Sequence, residues 1–180
     1  MSRENWSRER RVVMFADIRR FARLFLSEDT QLIDFIQAYY ELSGDRIVER
    51  GGRIVKYIGD SVFSVFPAGQ EEAALRCAID TERAFSALVK KLNLDPEVAL
   101  DSGINSGEVY MGVFGHGSLQ NEDVFGNTVN EAAMVMRGKG ISVTEVVNEA
   151  IGGIFETERL PDVQVKWRSE PIKAWRVLGG

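Results

Sequence analysis

The sequence is poor in the residues that build the commonest metal and redox centres. Its 180 residues include one cysteine, Cys77, and one histidine, His116. A single cysteine excludes an internal disulfide, and a single histidine excludes a His-rich zinc site. Any bound metal must be held by carboxylates, which suit hard ions such as magnesium or manganese. No apolar run approaches the roughly 18 to 20 residues that a membrane-crossing helix requires. The opening MSRENWSRERR has charge but no apolar stretch behind it that reads as a signal peptide. Positive charge is not in excess either: 22 Lys and Arg stand against 27 Asp and Glu, a net charge of -5. That balance argues against a nucleic-acid partner bound through its phosphate backbone. A reducing cytoplasm is the expected compartment.

What is present is ordinary for a globular domain, with 44% hydrophobic and 27% charged residues. The length suits one domain with a sizeable core, and equally a complete protein or a piece of a longer one. Residues 1–10 read as a lead-in and residues 11–180 as the domain, with no linker, low-complexity segment or repeat. RVVMFA (11–16) predicts a short buried strand ending at Asp17. Leu32, Phe35, Ile36, Tyr39 and Leu42 share one face of a helix from about 30 to 49, stopped by Gly51-Gly52. GGRIVKYIGDSVFSVFP (51–67) predicts a hairpin turning at Gly59-Asp60. Ala74, Cys77, Ala78, Thr81, Phe85 and Leu88 predict a helix from about Gln70 to Leu92, with Cys77 in the core. VALDSGI and EVYMGVFG predict two strands joined at Asn105-Ser106-Gly107. A helix begins near Asn127, its expected cap, and a short helix and two strands follow. His116 reads as a solvated loop residue.

The order strand, helix, hairpin, helix, strand is the split βαβ, ferredoxin-like plan, an α+β βαββαβ core with C-terminal additions. In that plan the first strand lies beside the third and antiparallel to it. Asp17, at the end of the first, then meets Asp60, at the start of the third. Two close carboxylates repel unless protonated or bridged by cations. Two divalent ions roughly 3.5 to 4 Å apart would bridge them and clamp a phosphoryl group. Each acid also has a plainer reading, Asp17 as a helix cap and Asp60 as a turn residue. Lys56 is harder to place, since a bare hairpin needs no lysine, although a charge can guard an edge strand.

FADIRRF, KYIGDSVFSVF, GINSGEVYMGVFG and DVFGNTVNEAA occur in an order and at spacings that resemble the class III nucleotidyl cyclases, over about residues 11 to 178. The resemblance implies a class III cyclase fold with Asp17, Asp60 and the carbonyl of Ile18 as ligands of two Mg²⁺ or Mn²⁺ ions. It implies Lys56 and Asp123 as the pair that reads the purine, and Asn130 as the residue that orients the ribose. A Lys-Asp pair implies adenine: lysine donates to the N1 acceptor, and aspartate accepts from the N6 amine. The implied activity is conversion of ATP to 3′,5′-cyclic AMP and pyrophosphate, at sites shared between two chains of a head-to-tail homodimer.

One position departs from the family pattern. Met134 stands four residues after Asn130, where the resemblance implies an arginine that stabilises phosphate charge. Losing one such donor typically costs about 10²- to 10³-fold in rate. Arg137 is the expected substitute, since positions 130, 134 and 137 share a helical face and side chains lean toward the N-terminus. VQVKWRSEPIKAWRV resembles the family's strand and loop with a phosphate-binding lysine, a role open to Lys166 or Arg168. The alternative to a turning-over enzyme is a degenerate cyclase domain that binds ATP or a partner without conversion.

Overall fold

The computed structural model describes residues 6–26, 31–136, 138 and 140–179. Strand β1 (Trp6–Arg19) leads through a 3-10 turn (Phe21–Leu26) to helix α1 (Gln31–Glu49). The hairpin β2 (Arg53–Ile58) and β3 (Ser61–Pro67) is followed by helix α2 (Glu71–Lys91). Strands β4 (Ala99–His116) and β5 (Leu119–Phe125) form a second hairpin, which feeds helix α3 (Asn127–Val135). The chain closes with β6 (Ile141–Thr144), α4 (Glu145–Ala150), β7 (Glu156–Arg159) and β8 (Ala174–Gly179). The sheet runs β2-β3-β1-β4-β6-β8-β7, with β5 paired to β4. Its first four strands are the expected ferredoxin-like core, and the remainder extends the sheet beyond β4. Among the described residues no helix is long and apolar enough to cross a membrane.

Strand β1 is central and covered on both faces, which explains its unbroken apolar run. Val12, Met14, Ala16 and Ile18 join the core under α1 and α2. Val13 and Phe15 face the opposite way, packing with Phe63, Val65, Val109, Val124 and Ala132. The Phe15 and Phe63 rings stack at 4.5 Å across the β1–β3 pair. Helix α1 ends with the paired hydrogen bonds Gly51 N–H to Val48 O (3.0 Å) and Gly52 N–H to Ile47 O (2.7 Å), with Gly51 at φ 78°. This is the left-handed glycine stop that the sequence predicts. Cys77 is fully buried on α2, as its helical spacing predicts.

Three local expectations are corrected. The first strand is not confined to 11–16: from Trp6 onward it pairs with β4, Trp6 facing Gly112. Asn105-Ser106-Gly107 is no turn, because β4 runs straight through it with Val13, Val12 and Arg11 opposite. Its polar side chains are satisfied sideways: Ser106 Oγ donates to Glu71 (2.6 Å) and Asn105 Nδ2 to the Thr128 carbonyl (3.1 Å). Asn127 does not cap α3; Gly126 occupies the cap position, and no side chain closes it. The four-residue β6 carries too short a pattern to be read as a strand from sequence.

The glycines of β4 let α3 lie close against the sheet. A Cβ on Gly103 would stand 2.1 Å from the Ala132 carbonyl oxygen. Gly103→Ala is expected to push α3 off the sheet and destabilise the fold by about 1–3 kcal/mol. Thermal denaturation checks this, and an unchanged Tm would show that α3 yields without cost.

Candidate active site

The register of β1 against β3 sets Ala16 opposite Val62. Asp17 and the Asp60-Ser61 step therefore arrive at the same end of the sheet. The Asp17 carboxylate accepts from the Ser61 side chain. The Asp60 carboxylate accepts from its own backbone N–H and from that of Ile18. Helix α1 holds both segments through consecutive tyrosines. Tyr39, fully buried, donates its hydroxyl to the Ala16 carbonyl at 3.0 Å. Tyr40 donates to the Gly59 carbonyl, fixing the turn that carries Asp60. A buried tyrosine such as Tyr39 must place its hydroxyl on an acceptor, and for both tyrosines the acceptor immediately precedes a carboxylate residue. The sequence showed Tyr39 only as one apolar position on a helical face, and it carried no sign of Tyr40.

A third acid, Asp101, lies directly across from Asp17 in the β1–β4 register. Its charge is met by a two-pronged contact from Arg19, Nε to Oδ2 at 3.0 Å and Nη2 to Oδ1, and by the Gly140 N–H at 2.8 Å. Among the described residues no lysine or arginine pairs with Asp17 or Asp60. Burial foremost, then the charges of Asp60 and Asp101, push the Asp17 carboxyl up to about 6. Burial likewise raises Asp60. Two half-buried, uncompensated carboxylates beside a neutralised third fit one or more hard cations better than any protein cation present. No cluster of three or more metal-ligating side chains occurs among the described residues, so oxygen from the Ile18 backbone and from a bound ligand would complete the shell.

Lys56 sits on β2 at a β-bulge, where the register with β3 shifts between Ile54 and Lys56. A bulge re-aims the side chain next to it. Lys56 Nζ reaches Asp123 Oδ2 on β5 at 2.6 Å and lies 6.0 Å from the centre of the Phe125 ring. Asp123 is the more buried partner, and its other oxygen accepts the Val124 N–H at 2.8 Å. The two hairpins are thus joined by a donor beside an acceptor, close to an aromatic face.

Helix α3 begins two residues after Phe125 and presents Asn130 and Met134 on its exposed side. Arg168, on the loop before β8, is held by Glu131 of α3 at 2.7 Å. Lys166 is exposed on the same loop. Arg137 lies outside the described residues. His116 is exposed at the end of β4, its ring hydrogen-bonded to Ser118. Asp17, Ile18 and Asp60 thus converge at one sheet end, Lys56 and Asp123 meet between the hairpins, and Asn130 stands apart on α3.

Residues 6–178 match a family described as the adenylate and guanylate cyclase catalytic domain. An adenylate cyclase of Anabaena cylindrica is 30% identical over 187 residues, covering 95% of this chain and 37% of that protein. The terminal-differentiation-specific adenylate cyclase of Dictyostelium discoideum is 29% identical, covering 93% of this chain and 8% of that protein. The chain thus spans well under half the length of these curated relatives. The crystal structure of the adenylyl cyclase CyaB from P. aeruginosa superposes with a TM-score of 0.90 at 23% identity, covering 97% of this chain and 96% of that one. The guanylyl cyclase Cya2 superposes at 0.84, also 23% identical, over 97% and 94%. At that identity the likeness shows the fold.

The carboxylate pair has a consequence for stability. Asp17 binds its proton more tightly in the folded chain than in the unfolded one, where the ordinary value is 3.8. Its contribution is therefore whole below about pH 3.8 and is lost as the pH rises through about 6. Asp17→Asn is expected to remove that loss, raising the Tm of the metal-free protein at about pH 7.5 but not at about pH 4. Mn²⁺ should raise the wild-type Tm more at the higher pH, because the ion competes with the proton, and should not do so in Asp17→Asn. Scanning calorimetry at the two pH values checks both. A variant whose Tm follows the wild type throughout would remove Asp17 from the ion site.

Proposed function

The chain belongs to the adenylate and guanylate cyclase catalytic-domain family, and from that premise we propose that it is an adenylyl cyclase, forming 3′,5′-cyclic AMP and pyrophosphate from ATP. The observation that carries the base preference is the Lys56–Asp123 pair at 2.6 Å. Opened by a purine, the pair offers one donor and one acceptor. Adenine presents N1 as an acceptor and N6 as a donor, so each group finds a partner. Guanine presents O6 as an acceptor and N1–H as a donor, which would face lysine and aspartate in a different register. The two curated adenylate cyclases support the same preference, while the guanylyl cyclase among the structural neighbours makes it a point to test.

Asp17, Asp60 and the Ile18 carbonyl would hold two magnesium or manganese ions. Such ions, when bound, acidify a ribose hydroxyl and neutralise phosphate charge. The chain's own residues supply position. Tyr39 and Tyr40 keep both carboxylate segments in place, so an ion meets a preorganised pair. Asn130, exposed on α3, would orient the ribose. Lys166 and Arg168 would supply positive charge toward the phosphates. Asn130 on α3 and Asp123 on β5 lie on elements distinct from those that carry Asp17 and Asp60, which suits a composite site. A head-to-tail homodimer would join the carboxylates of one protomer to the purine pair of its partner, twice over.

The deciding assay is purified protein with ATP or GTP and Mn²⁺, scored for cyclic product; no product from either nucleotide would overturn the enzyme reading. Lys56→Glu with Asp123→Cys is expected to weaken ATP use and shift preference toward GTP, and an unchanged ratio would show that the pair does not read the base. Asp17→Ala and Asn130→Ala chains, each inactive alone, should recover activity on mixing, because one site of the mixed dimer is intact. Mixtures that stay inactive would count against the shared site.

A further inference from the structure

Glu131 was not among the residues legible in the sequence, yet it stands at the centre of a polar relay that crosses four segments. It begins at Asn105 on β4, buried at 3% exposure. The Asn105 Oδ1 accepts from the Ser106 N–H (2.8 Å) and the Thr144 hydroxyl (2.7 Å). Its Nδ2 donates to the Thr128 carbonyl (3.1 Å) and to Glu131 Oε2 (3.2 Å). The amide has two acceptor sites and two donors, and all four are used. Turning the amide over would set its NH₂ against the Ser106 N–H donor, so the face shown to Glu131 is fixed.

Glu131 is therefore pinned through Oε2, leaving Oε1 to take Arg168 Nη1 at 2.7 Å. Arg168 belongs to the irregular segment before β8, where nothing in the backbone would fix so long a side chain. Among the described residues Glu131 is its one hydrogen-bond partner. A guanidinium carries five N–H donors, so most of them remain available, and the side chain is 36% exposed. A cleft of about 110 Å³ opens at this contact, lined by Asn105, Glu131, Thr144 and Arg168 among others. Positions 131 and 134 are i, i+3 neighbours on α3, about 5–6 Å apart at Cβ. The residue that holds the guanidinium is thus one helical step from Met134, the position that lacks a positive charge.

We propose that Glu131 is a positioning residue, anchored by Asn105, and that it holds Arg168 as the phosphate-facing cation that position 134 lacks. The proposal rests on the cyclase reading and selects among its basic residues. The carboxylate does not consume the guanidinium, because a planar fork can keep one N–H on Glu131 and turn the others toward phosphate oxygens. Lys166, a flexible ammonium on the same loop, has no such anchor among the described residues.

Steady-state kinetics with ATP and Mn²⁺, together with calorimetric binding of 3′-deoxy-ATP, which lacks the attacking hydroxyl, test this. Arg168→Ala is expected to lower kcat by about 10²-fold or more and the affinity for 3′-deoxy-ATP by about tenfold. Glu131→Ala should lower kcat in the same direction, and the double variant should be no worse than Arg168→Ala alone. Glu131→Gln keeps a hydrogen-bonding group beside Asn105, so a fall in its kcat with an unchanged Tm separates positioning from folding. Met134→Arg should restore turnover to Arg168→Ala chains by a larger factor than it raises the wild type, which a purely structural role for Arg168 would not produce. Wild-type kcat and affinity in Arg168→Ala would overturn the proposal. So would a rise in kcat on removing Glu131, which would mean that the carboxylate competes with phosphate. If the wild type forms no cyclic product, the function proposed above fails by itself. The affinity for 3′-deoxy-ATP then decides the role of Arg168, a tenfold loss in Arg168→Ala supporting it and an equal affinity overturning it.

Discussion

Everything at the carboxylate end depends on β1 being antiparallel to both of its neighbours. One register brings the start of β3 to the end of β1, and the other brings Asp101 of β4 there. A slip of one residue in either pairing would turn Val13 and Phe15 toward α1 and α2, and Met14 and Ile18 away from them. The two apolar faces of β1 therefore hold the register, and the register holds the acids. Chemistry at this site is secured by hydrophobic packing on both sides of a single strand. The acids themselves contribute repulsion.

That repulsion is selectively relieved. Arg19 follows Asp17 by two positions, so it projects to the same face and reaches the neighbouring Asp101. The chain turns away directly afterwards through Arg20, which adopts φ 66°, a conformation that costs a non-glycine residue roughly 1–2 kcal/mol. Asp101 is thus neutralised by Arg19 from the neighbouring strand, while among the described residues Asp17 and Asp60 have no such partner. The Lys56–Asp123 pair shows the opposite arrangement. Lys56 and Asp123 satisfy each other across two hairpins, and in the proposed function a base would enter between them. The carboxylate pair keeps its repulsion, and the lysine–aspartate pair is closed on itself.

The parts of this arrangement that were legible in the sequence are those carried by period and order. The apolar spacing of 32–42 and 74–88 marked the two helices, and the strand order alone placed Asp17 beside Asp60. Lys56, Asp123 and Asn130 were marked by their resemblance to the cyclase motifs, since a lone lysine on a strand has no periodic signature. The continuous β4 was missed because Asn-Ser-Gly is turn chemistry in isolation. Only the tertiary partners of Asn105 and Ser106, together with the need for a residue without Cβ beside Thr128, reveal why those types stand in a strand. Tyr40 and Glu131 were missed for a related reason. Each acts through one contact to a segment distant in sequence, and such a contact leaves no trace in local pattern.

The burial of Cys77 reaches beyond packing. Its thiol is buried on α2, and that burial pushes it up to about 12. Alkylating reagents and peroxides attack the thiolate, the form that burial disfavours here. Cys77 is therefore expected to react slowly with maleimides and mild oxidants. A cysteine introduced at an exposed position such as Leu119, the first residue of β5, would be far more accessible. In the proposed homodimer, spin or fluorophore labels placed there would report the distance between the two copies of the chain.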